Sequence, residues 1–241
     1  MLEVRNLTAG YGNILVIRDI SFDMKAGEAL AVIGGNGSGK STLLWALSGL
    51  IRPRSGTIIF DGRDITGLEP RRVVGLGISH GLQGMQIFGD LTVEDNLMLA
   101  AFGQRFSTKK LKTELVPLAF EYFPVLREKQ RLLASNLSGG EKQMLVMART
   151  LITEPKLLLL DEPSTGLAPL LVEHLFGILD SLRRKFSLTT LLVEQNAEIA
   201  LNFADRGLVL AYGQIVLEGE VRDLLNSKEV KDVYLGGQAP T

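Results

Sequence analysis

The chain has 241 residues, of which 46% are hydrophobic and 22% are charged. This balance is typical of a globular protein with a sizeable core, and the length favours one α/β domain, or one domain with a smaller inserted lobe, over two independent domains. The 26 basic and 27 acidic residues leave a formal net charge of -1, so no overall field attracts the protein to nucleic acid or anionic lipid.

The chain has no cysteine, which excludes disulfides and cysteine metal sites and fits a reducing compartment. Residues 1–6 include Glu3 and Arg5 and lack the residue order of a secretory signal, so we expect no export. The longest uncharged run, 73–89, contains five glycines and cannot form a membrane-spanning helix, which needs ~20 mostly apolar residues. If the protein serves a membrane, we expect it to act from outside the bilayer.

Hydrophobic patterning predicts the secondary structure. In chain order, the predicted elements are strands at 2–6, 20–24 and 29–33, a helix at 40–50, a strand at 57–60, a helix at 69–76, a helical stretch at 92–152, a strand at 157–160, a helix at 170–185, and strands at 189–193, 207–210 and 214–218. Small helices follow, and we expect 236–241 to be loose.

Alternating buried strands and helices imply an α/β fold with a mostly parallel sheet covered on both faces. Strand signals vanish between 92 and 152, so we interpret 85–152 as a helical lobe inserted into a core lobe made of 1–84 and 153–241. Together the two lobes form one domain, 1–241.

A glycine-rich segment between the third predicted strand and the first predicted helix fits the phosphate-loop pattern G-x-x-x-x-G-K-[ST]. Its glycines let backbone N–H groups point at phosphate oxygens, and the helix that follows adds its positive end. We expect Lys40 to bridge the β- and γ-phosphates and Ser41 to bind Mg²⁺. The candidate nucleotide-binding residues here are Gly34, Asn36, Gly37, Ser38, Gly39, Lys40, Ser41 and Thr42. The alternative is a flexible glycine turn before an ordinary helix.

The apolar strand at 157–160 ends in two adjacent carboxylates, which resembles a Walker B element. Asp161 would hold Mg²⁺ through water at the carboxyl edge of the sheet. Glu162 would polarise the attacking water as a general base. A solvated acidic turn after a core strand is the alternative.

The sequence Leu-Ser-Gly-Gly-Glu at 137–141 precedes an apolar-periodic helix. Its N–H groups at a helix start suggest a second anion site, formed by Ser138, Gly139, Gly140 and Glu141. This pentapeptide is similar to the signature that separates ATP-binding cassette (ABC) proteins from other phosphate-loop ATPases, and the resemblance extends from residue 2 to about 236. The alternative is a Ser-capped helix without a ligand.

The resemblance implies the ABC ATPase fold, with N-terminal antiparallel strands beside the parallel sheet. It also implies that the signature of one subunit closes over the phosphate loop of another, which buries two ATP molecules with Mg²⁺ in a head-to-tail dimer. Tyr11 occupies the place of the aromatic residue that stacks on adenine, with Val16 packing nearby. Gln83 resembles the glutamine that touches Mg²⁺ and connects the core to the helical lobe and the permease.

Two positions depart from the family pattern. Gln195 stands where the family commonly has a histidine that contacts the γ-phosphate; glutamine can hydrogen-bond phosphate or orient water but cannot carry a proton, so turnover is expected to be slow. Ala168 stands where an aspartate is usual. Both changes fit a subfamily, because the sequences at 191–196, 166–169 and 234–237 look like those of ATPase subunits of branched-chain amino acid importers. The segment around Gln83 looks more like the partner ATPase of the same transporters.

The sequence therefore suggests a catalytic ATPase with Glu162 and Gln195 at its centre and Ser41, Gln83 and Asp161 around Mg²⁺. The expected role is to energise import of branched-chain amino acids, or of a related small polar solute such as urea, at the cytoplasmic face of the inner membrane. The expected partners are permease subunits, a second ABC ATPase in a homo- or heterodimer and, indirectly, a solute-binding protein. An exporter or lipid-extraction ATPase is the main alternative, and a soluble cassette acting on ribosomes or DNA is another.

Overall fold

A computed structural model describes residues 1–81, 87–101, 106–227 and 230. The strands in this part of the chain are β1 (Leu2–Tyr11), β2 (Ile14–Met24), β3 (Ala29–Ile33), β4 (Ser55–Phe60), β5 (Arg63–Asp64), β6 (Ile78–Gly81), β7 (Leu157–Asp161), β8 (Thr189–Glu194), β9 (Arg206–Ala211) and β10 (Gln214–Glu220). The helices are α1 (Lys40–Leu47), α2 (Pro70–Gly75), α3 (Val93–Ala100), α4 (Thr108–Lys110), α5 (Val116–Tyr122), α6 (Pro124–Glu128), α7 (Gly139–Ile152), α8 (Pro169–Phe186), α9 (Ala197–Phe203) and α10 (Val221–Asn226). A π-helical turn, Leu111–Leu115, joins α4 to α5, and a 3₁₀ turn, Ala134–Asn136, precedes α7.

The central sheet has six strands in the order β10-β9-β3-β8-β7-β6. All neighbouring strands are parallel except β10, which is antiparallel to β9. Every residue of β3, β7 and β8 is buried, as expected of parallel strands covered on both faces. The predicted α/β class with a mostly parallel sheet is confirmed.

A second, antiparallel sheet has the order β2-β1-β4-β5. Its buried side chains form one hydrophobic cluster with the inner face of α1 and with one face of the central sheet. The helix α1 therefore lies between the two sheets, which fixes its first turn at the carboxyl edge of β3. The N-terminal antiparallel strands expected from the family resemblance are confirmed.

Only helices and irregular segments connect β6 to β7 within the described residues, so the inserted helical segment is also confirmed. Helices α3, α5, α6 and α7 pack together, and their buried side chains join a second cluster with α8 and the other face of the central sheet. The lobe boundaries at 85 and 152 stay predictions. No helix within the described ranges has the length and apolar character needed to cross a membrane.

Several elements differ from the prediction. β1 and β2 are longer than 2–6 and 20–24 because their hairpin extends beyond the core, where Ile14 is 71% exposed and no hydrophobic alternation marks a strand. α1 ends at Leu47 instead of residue 50 because Gly49 adopts a φ of 76°, the left-handed conformation that ends many helices. β6 and α9 have no counterpart in the prediction.

Candidate functional site

The phosphate loop, residues 34–39, lies between the carboxyl end of β3 and the start of α1. A Cβ atom on Gly34 would lie 2.4 Å from the backbone oxygen of Leu210 in β9. A Cβ atom on Gly39 would lie 2.6 Å from Cγ2 of Ile17 in β2, and Gly39 also has a φ of 107°. The loop is therefore pressed against both sheets, and its path requires glycine at these two positions.

The loop has the donors that a phosphate needs. Helix α1 begins at Lys40 without a side-chain cap, and the N–H groups in the first turn of a helix have no intrahelical acceptor. The hydroxyl oxygen of Ser38 is buried and has no hydrogen-bond partner within the described residues. Asn36 and Gly37 are exposed at the tip of the loop. This arrangement, at the positive end of a helix, fits an anion such as a phosphate group.

Four polar side chains meet beside the loop, at the carboxyl edge of β3 and β7. The Nζ atom of Lys40 donates to the backbone oxygen of Gly34 at 2.8 Å and lies 3.4 Å from Oε1 of Glu162. The side chains of Lys40 and Glu162 are only 5% and 11% exposed. Ser41 donates its hydroxyl proton to Oδ1 of Asp161 at 3.1 Å. The structure thus brings together the lysine, the serine and both carboxylates of the predicted site.

Asp161 is buried at the end of β7. Burial raises the pKa of this carboxyl above its ordinary value, while the hydrogen bond from Ser41 opposes the shift. The negative charge of Glu162 raises the same pKa and the positive charge of Lys40 lowers it. A cation at this position would favour the ionised form of Asp161.

The oxygen atoms of Ser41 and Asp161 are of the kind that Mg²⁺ prefers, and they lie 3.1 Å apart. The described residues contain no group of three or more His, Cys, Asp or Glu side chains that could hold a metal ion. A magnesium ion here would therefore need phosphate oxygens and water to complete its coordination, as is common for nucleotide-bound magnesium. Gln83, the third predicted magnesium residue, lies outside the described residues.

Glu162 has an unusual backbone conformation, with a φ of 47° in the left-handed region. Its backbone N–H donates to the carbonyl of Val193 in β8 at 2.9 Å, and its Oε2 accepts the hydroxyl proton of Thr165 at 3.3 Å. A non-glycine residue in this region costs on the order of 1–3 kcal/mol, and such residues cluster at functional sites. The strained turn directs the Glu162 carboxylate toward Lys40.

Tyr11 is the last residue of β1 and contacts the first helix after the phosphate loop. Its ring is 43% exposed, its hydroxyl lies 3.3 Å from Oγ1 of Thr42, and its edge packs on Trp45 with ring centroids 6.0 Å apart. Val16, the loop, Thr42 and Glu162 line a cleft of about 230 Å³. Val16 lines this cleft, whereas Tyr11 contacts Thr42 and Trp45, and the predicted stacking of Tyr11 on adenine stays a prediction. Trp45, which packs against Tyr11, is a residue that the sequence analysis missed.

The signature residues form the start of α7. Ser138 and Glu141 make a capping box, in which the Ser138 hydroxyl accepts the N–H of Glu141 at 3.4 Å and the Glu141 carboxylate accepts the N–H of Ser138 at 3.0 Å. Lys129 donates to Glu141 at 2.7 Å, and this hydrogen bond is the main reason that the pKa of Glu141 is lowered. Ser138 and Gly139 are exposed, so the open end of α7 faces outward.

The structure does not join the signature to the phosphate loop. No hydrogen bond or ion pair connects 137–141 with 34–41 in the described part of the chain. Gln195 follows β8 and is exposed near the carboxyl edge of the sheet. Within the described residues, the start of α7 and the phosphate loop are therefore two separate helix N-terminal elements of the chain.

The sequence analysis also missed Glu194, the last residue of β8. It is 1% exposed, and its carboxylate accepts both the backbone N–H and the hydroxyl proton of Ser164, each at 2.9 Å. The contact joins residues 30 positions apart, so no local pattern could have indicated it.

Of the two histidines, His80 is largely buried beside Ser48 and His174 is exposed on α8. These positions are consistent with a structural role for His80 and a solvent-facing position for His174.

Comparison with the sequences of known proteins identifies the family of the chain. The ABC transporter family matches residues 17–165 of the chain. A high-affinity branched-chain amino acid transport ATP-binding protein of Pseudomonas aeruginosa, BraG, is 42% identical over 98% of this chain and 100% of its own length. A probable branched-chain amino acid transport ATP-binding protein of Archaeoglobus fulgidus, LivF, is 38% identical over 98% and 99%.

The solved structures agree as well. The crystal structure of a nucleotide-free ATP-binding cassette from an ABC transporter superimposes with a TM-score of 0.85 at 28% identity, covering 98% of each chain. The ADP conformation of an ATP-binding cassette of an ABC transporter gives a TM-score of 0.83 at 30% identity over the same coverage. The fold, the phosphate loop with its facing carboxylates, and the full-length relatives lead to one conclusion: the chain belongs to the ABC transporter family, as an ATP-binding subunit similar to those of branched-chain amino acid importers.

Proposed function

We propose that this chain hydrolyses ATP to energise import of branched-chain amino acids or of a related small polar solute such as urea. The observation that carries the catalytic part is the meeting of Lys40, Ser41, Asp161 and Glu162 at one edge of the sheet. The substrate part is supported by the 42% identity to BraG over the whole chain.

The chemistry follows from the positions of these side chains. Lys40 and the loop N–H groups bind the phosphates of ATP and balance their charge. Ser41 and Asp161, with Gln83, would hold Mg²⁺, which supplies further neutralisation of the phosphate charge. Glu162 takes a proton from the attacking water, and Gln195 orients that water or the γ-phosphate through its amide. Tyr11 stacks on the adenine ring, with Val16 beside it.

The second anion-binding element implies a dimer. Ser138 and Gly139 are exposed at the start of α7, Gly140 and Glu141 are partly buried beside them, and within the described residues none of the four makes a hydrogen bond with the phosphate loop of the same chain. They would bind the γ-phosphate of an ATP held by another subunit, so each complete site contains residues of two chains. The other subunit is a second copy or a related ABC ATPase.

The remaining partners follow from this role. A core lobe, 1–84 and 153–241, would bind nucleotide, and a helical lobe, 85–152, would transmit closure of the dimer to permease subunits. The chain would then lie at the cytoplasmic face of the inner membrane as a peripheral subunit. A solute-binding protein would deliver the substrate on the other side.

Export is the second candidate. A lipopolysaccharide export system ATP-binding protein of Haemophilus influenzae, LptB, is 32% identical over 99% of this chain and 98% of its own length. The nucleotide site would be the same in an exporter, and only the permease would differ.

Reconstitution of this chain with its permease subunits tests the proposal. Proteoliposomes that contain the complex and ATP on the side of this subunit should accumulate radiolabelled leucine, isoleucine or urea when the solute-binding protein is added. The same vesicles with Glu162→Gln should not accumulate solute. ATP-driven release of a lipid with no uptake of these solutes would favour the export alternative.

A further inference from the structure

Glu194 is a buried acidic residue that the mechanism above does not use. It ends β8 directly before Gln195 and is 1% exposed. Burial raises the pKa of this carboxyl, and the hydrogen bonds from Ser164 oppose that shift. A buried carboxylate is costly unless its oxygens are hydrogen-bonded, so its contacts indicate what it does.

The side chain of Glu194 accepts two hydrogen bonds from Ser164, and the backbone N–H of Gln195 and the negative charge of Glu162 also act on its carboxyl. Oε1 of Glu194 accepts the backbone N–H of Ser164 at 2.9 Å, and Oε2 accepts its hydroxyl proton at 2.9 Å. Two hydrogen bonds from a single residue to one carboxyl group fix both the position and the orientation of that residue. Ser164 lies two residues after Glu162, in the turn that follows β7.

The end of β8 therefore contacts the turn that follows β7, residues 162–165, at two points. The carbonyl of Val193 accepts the backbone N–H of Glu162 at 2.9 Å, and the next residue, Glu194, holds Ser164. Within the turn, the N–H of Thr165 donates to the carbonyl of Glu162 at 3.1 Å. The left-handed backbone of Glu162 is unfavourable by itself, and such conformations persist only where surrounding contacts determine them.

We propose that Glu194 is a positioning residue for ATP hydrolysis, which holds the Glu162 carboxylate at its working position through Ser164. Within the described residues, the Glu194 side chain makes no hydrogen bond to the phosphate loop, so its proposed action is on the general base and not on nucleotide binding. The inference rests on the proposed role of Glu162 and names a residue on which that role depends.

The test compares Glu194→Gln, Ser164→Ala and the double variant with the wild type in the full-length protein. Glutamine has the same shape but no charge, and its NH2 group can only donate, so the Ser164 hydroxyl must turn to accept and both contacts lose the strengthening that a carboxylate gives them. We expect kcat for ATP to fall about 10- to 100-fold in Glu194→Gln, with KM and the Kd for a fluorescent ATP analogue within about two-fold of wild type. Ser164→Ala keeps the backbone N–H that Glu194 accepts, so its kcat should fall less than that of Glu194→Gln.

The double variant shows whether the two residues act together. If Glu194 works through Ser164, removing the hydroxyl in the Glu194→Gln background should add little, so the two effects are not additive. Asp205→Asn serves as a control for the loss of a carboxylate distant from the site, although Asp205 is more exposed than Glu194. Its carboxylate also accepts a backbone N–H, that of Ala29 at 2.8 Å, but at the opposite edge of the sheet. This control should lower the melting temperature and leave kcat within about two-fold of wild type.

Each of these results either supports or overturns the proposed role of Glu194. Wild-type kcat in Glu194→Gln, additive losses in the double variant, or an equal loss of kcat in Asp205→Asn would overturn it while leaving the proposed function in place. If Glu194→Gln does not fold, an unchanged kcat in Ser164→Ala would overturn it in the same way. A wild-type protein that hydrolyses no ATP would overturn the proposed function and this inference together.

Discussion

The space around Gly34 is too small for a Cβ atom, which gives a quantitative prediction for Gly34→Ala. The added Cβ atom would lie 2.4 Å from the backbone oxygen of Leu210 and 2.6 Å from Oγ of Ser38. An ordinary contact needs about 3.4 Å, so the start of the loop or the end of β9 must move by about 1 Å in a well-packed region. Overpacking of this kind costs about 1–3 kcal/mol. A displacement of about 1 Å in a binding site can weaken function by about 100-fold.

The assay is thermal unfolding together with titration of a fluorescent ATP analogue. For a protein of this size, a loss of 1–3 kcal/mol corresponds to a fall in Tm of about 2–12 °C. Gly35→Ala is the matched control, because a Cβ atom there has no heavy atom within 4 Å. Its stability should change by less than about 0.5 kcal/mol. Equal Tm and equal ATP affinity in the two variants would refute the reasoning.

Three further predictions concern single side chains. Lys40→Met removes the ammonium group that would bind phosphate, and ATP affinity should fall about 10- to 100-fold in a binding titration. Tyr11→Ala should weaken ATP binding by about 1–3 kcal/mol through loss of stacking, whereas Tyr11→Phe should retain most of the affinity; equal affinities would contradict the stacking role. Burial lowers the pKa of His80 to about 4. In the unfolded chain His80 binds a proton near pH 6.5, whereas in the folded protein it stays neutral down to about pH 4. The free energy of unfolding of the wild type should therefore fall by about 2 kcal/mol between pH 7 and pH 5 because of this group. In urea unfolding, His80→Gln should lack that loss.

Much of the fold could be predicted from the sequence because the strongest signals are local. The continuous apolar runs of β3, β7 and β8 identify buried parallel strands, and the phosphate loop has a fixed place between a strand and a helix. The missed elements lack such signals. β6 contains a serine, a histidine and a glycine in four residues, and it is a strand because its backbone pairs with β7.

The residues of the candidate site could likewise be predicted where they belong to local motifs. Lys40, Ser41, Asp161 and Glu162 lie in two motifs 120 residues apart, and the topology of a parallel sheet explains why they meet. The supporting contacts were not predictable. Trp45 behind Tyr11 and Glu194 beside Ser164 act through tertiary packing between distant segments, and neither residue lies in a motif that indicates its partner.

The separation of the two anion-binding elements has a functional consequence. The phosphate loop and Glu162 lie together within one chain, whereas the start of α7 is exposed and, among the described residues, makes no hydrogen bond to the loop. Hydrolysis should therefore depend steeply on the concentration of the chain or of its partner ATPase, because a complete site forms only on association.

The most direct test of the account is the molecular mass of Glu162→Gln protein by size-exclusion chromatography with light scattering. The variant is run with ATP and Mg²⁺, alone and then with a second ABC ATPase encoded beside it. The account predicts that ATP stays bound and that the 26.3 kDa chain doubles its mass, alone or with the partner, and returns to one chain in ADP. A single-chain mass in both ATP samples, with ATP binding confirmed, would contradict the shared site. Unimpaired steady-state hydrolysis by the variant would contradict the role of Glu162 as general base.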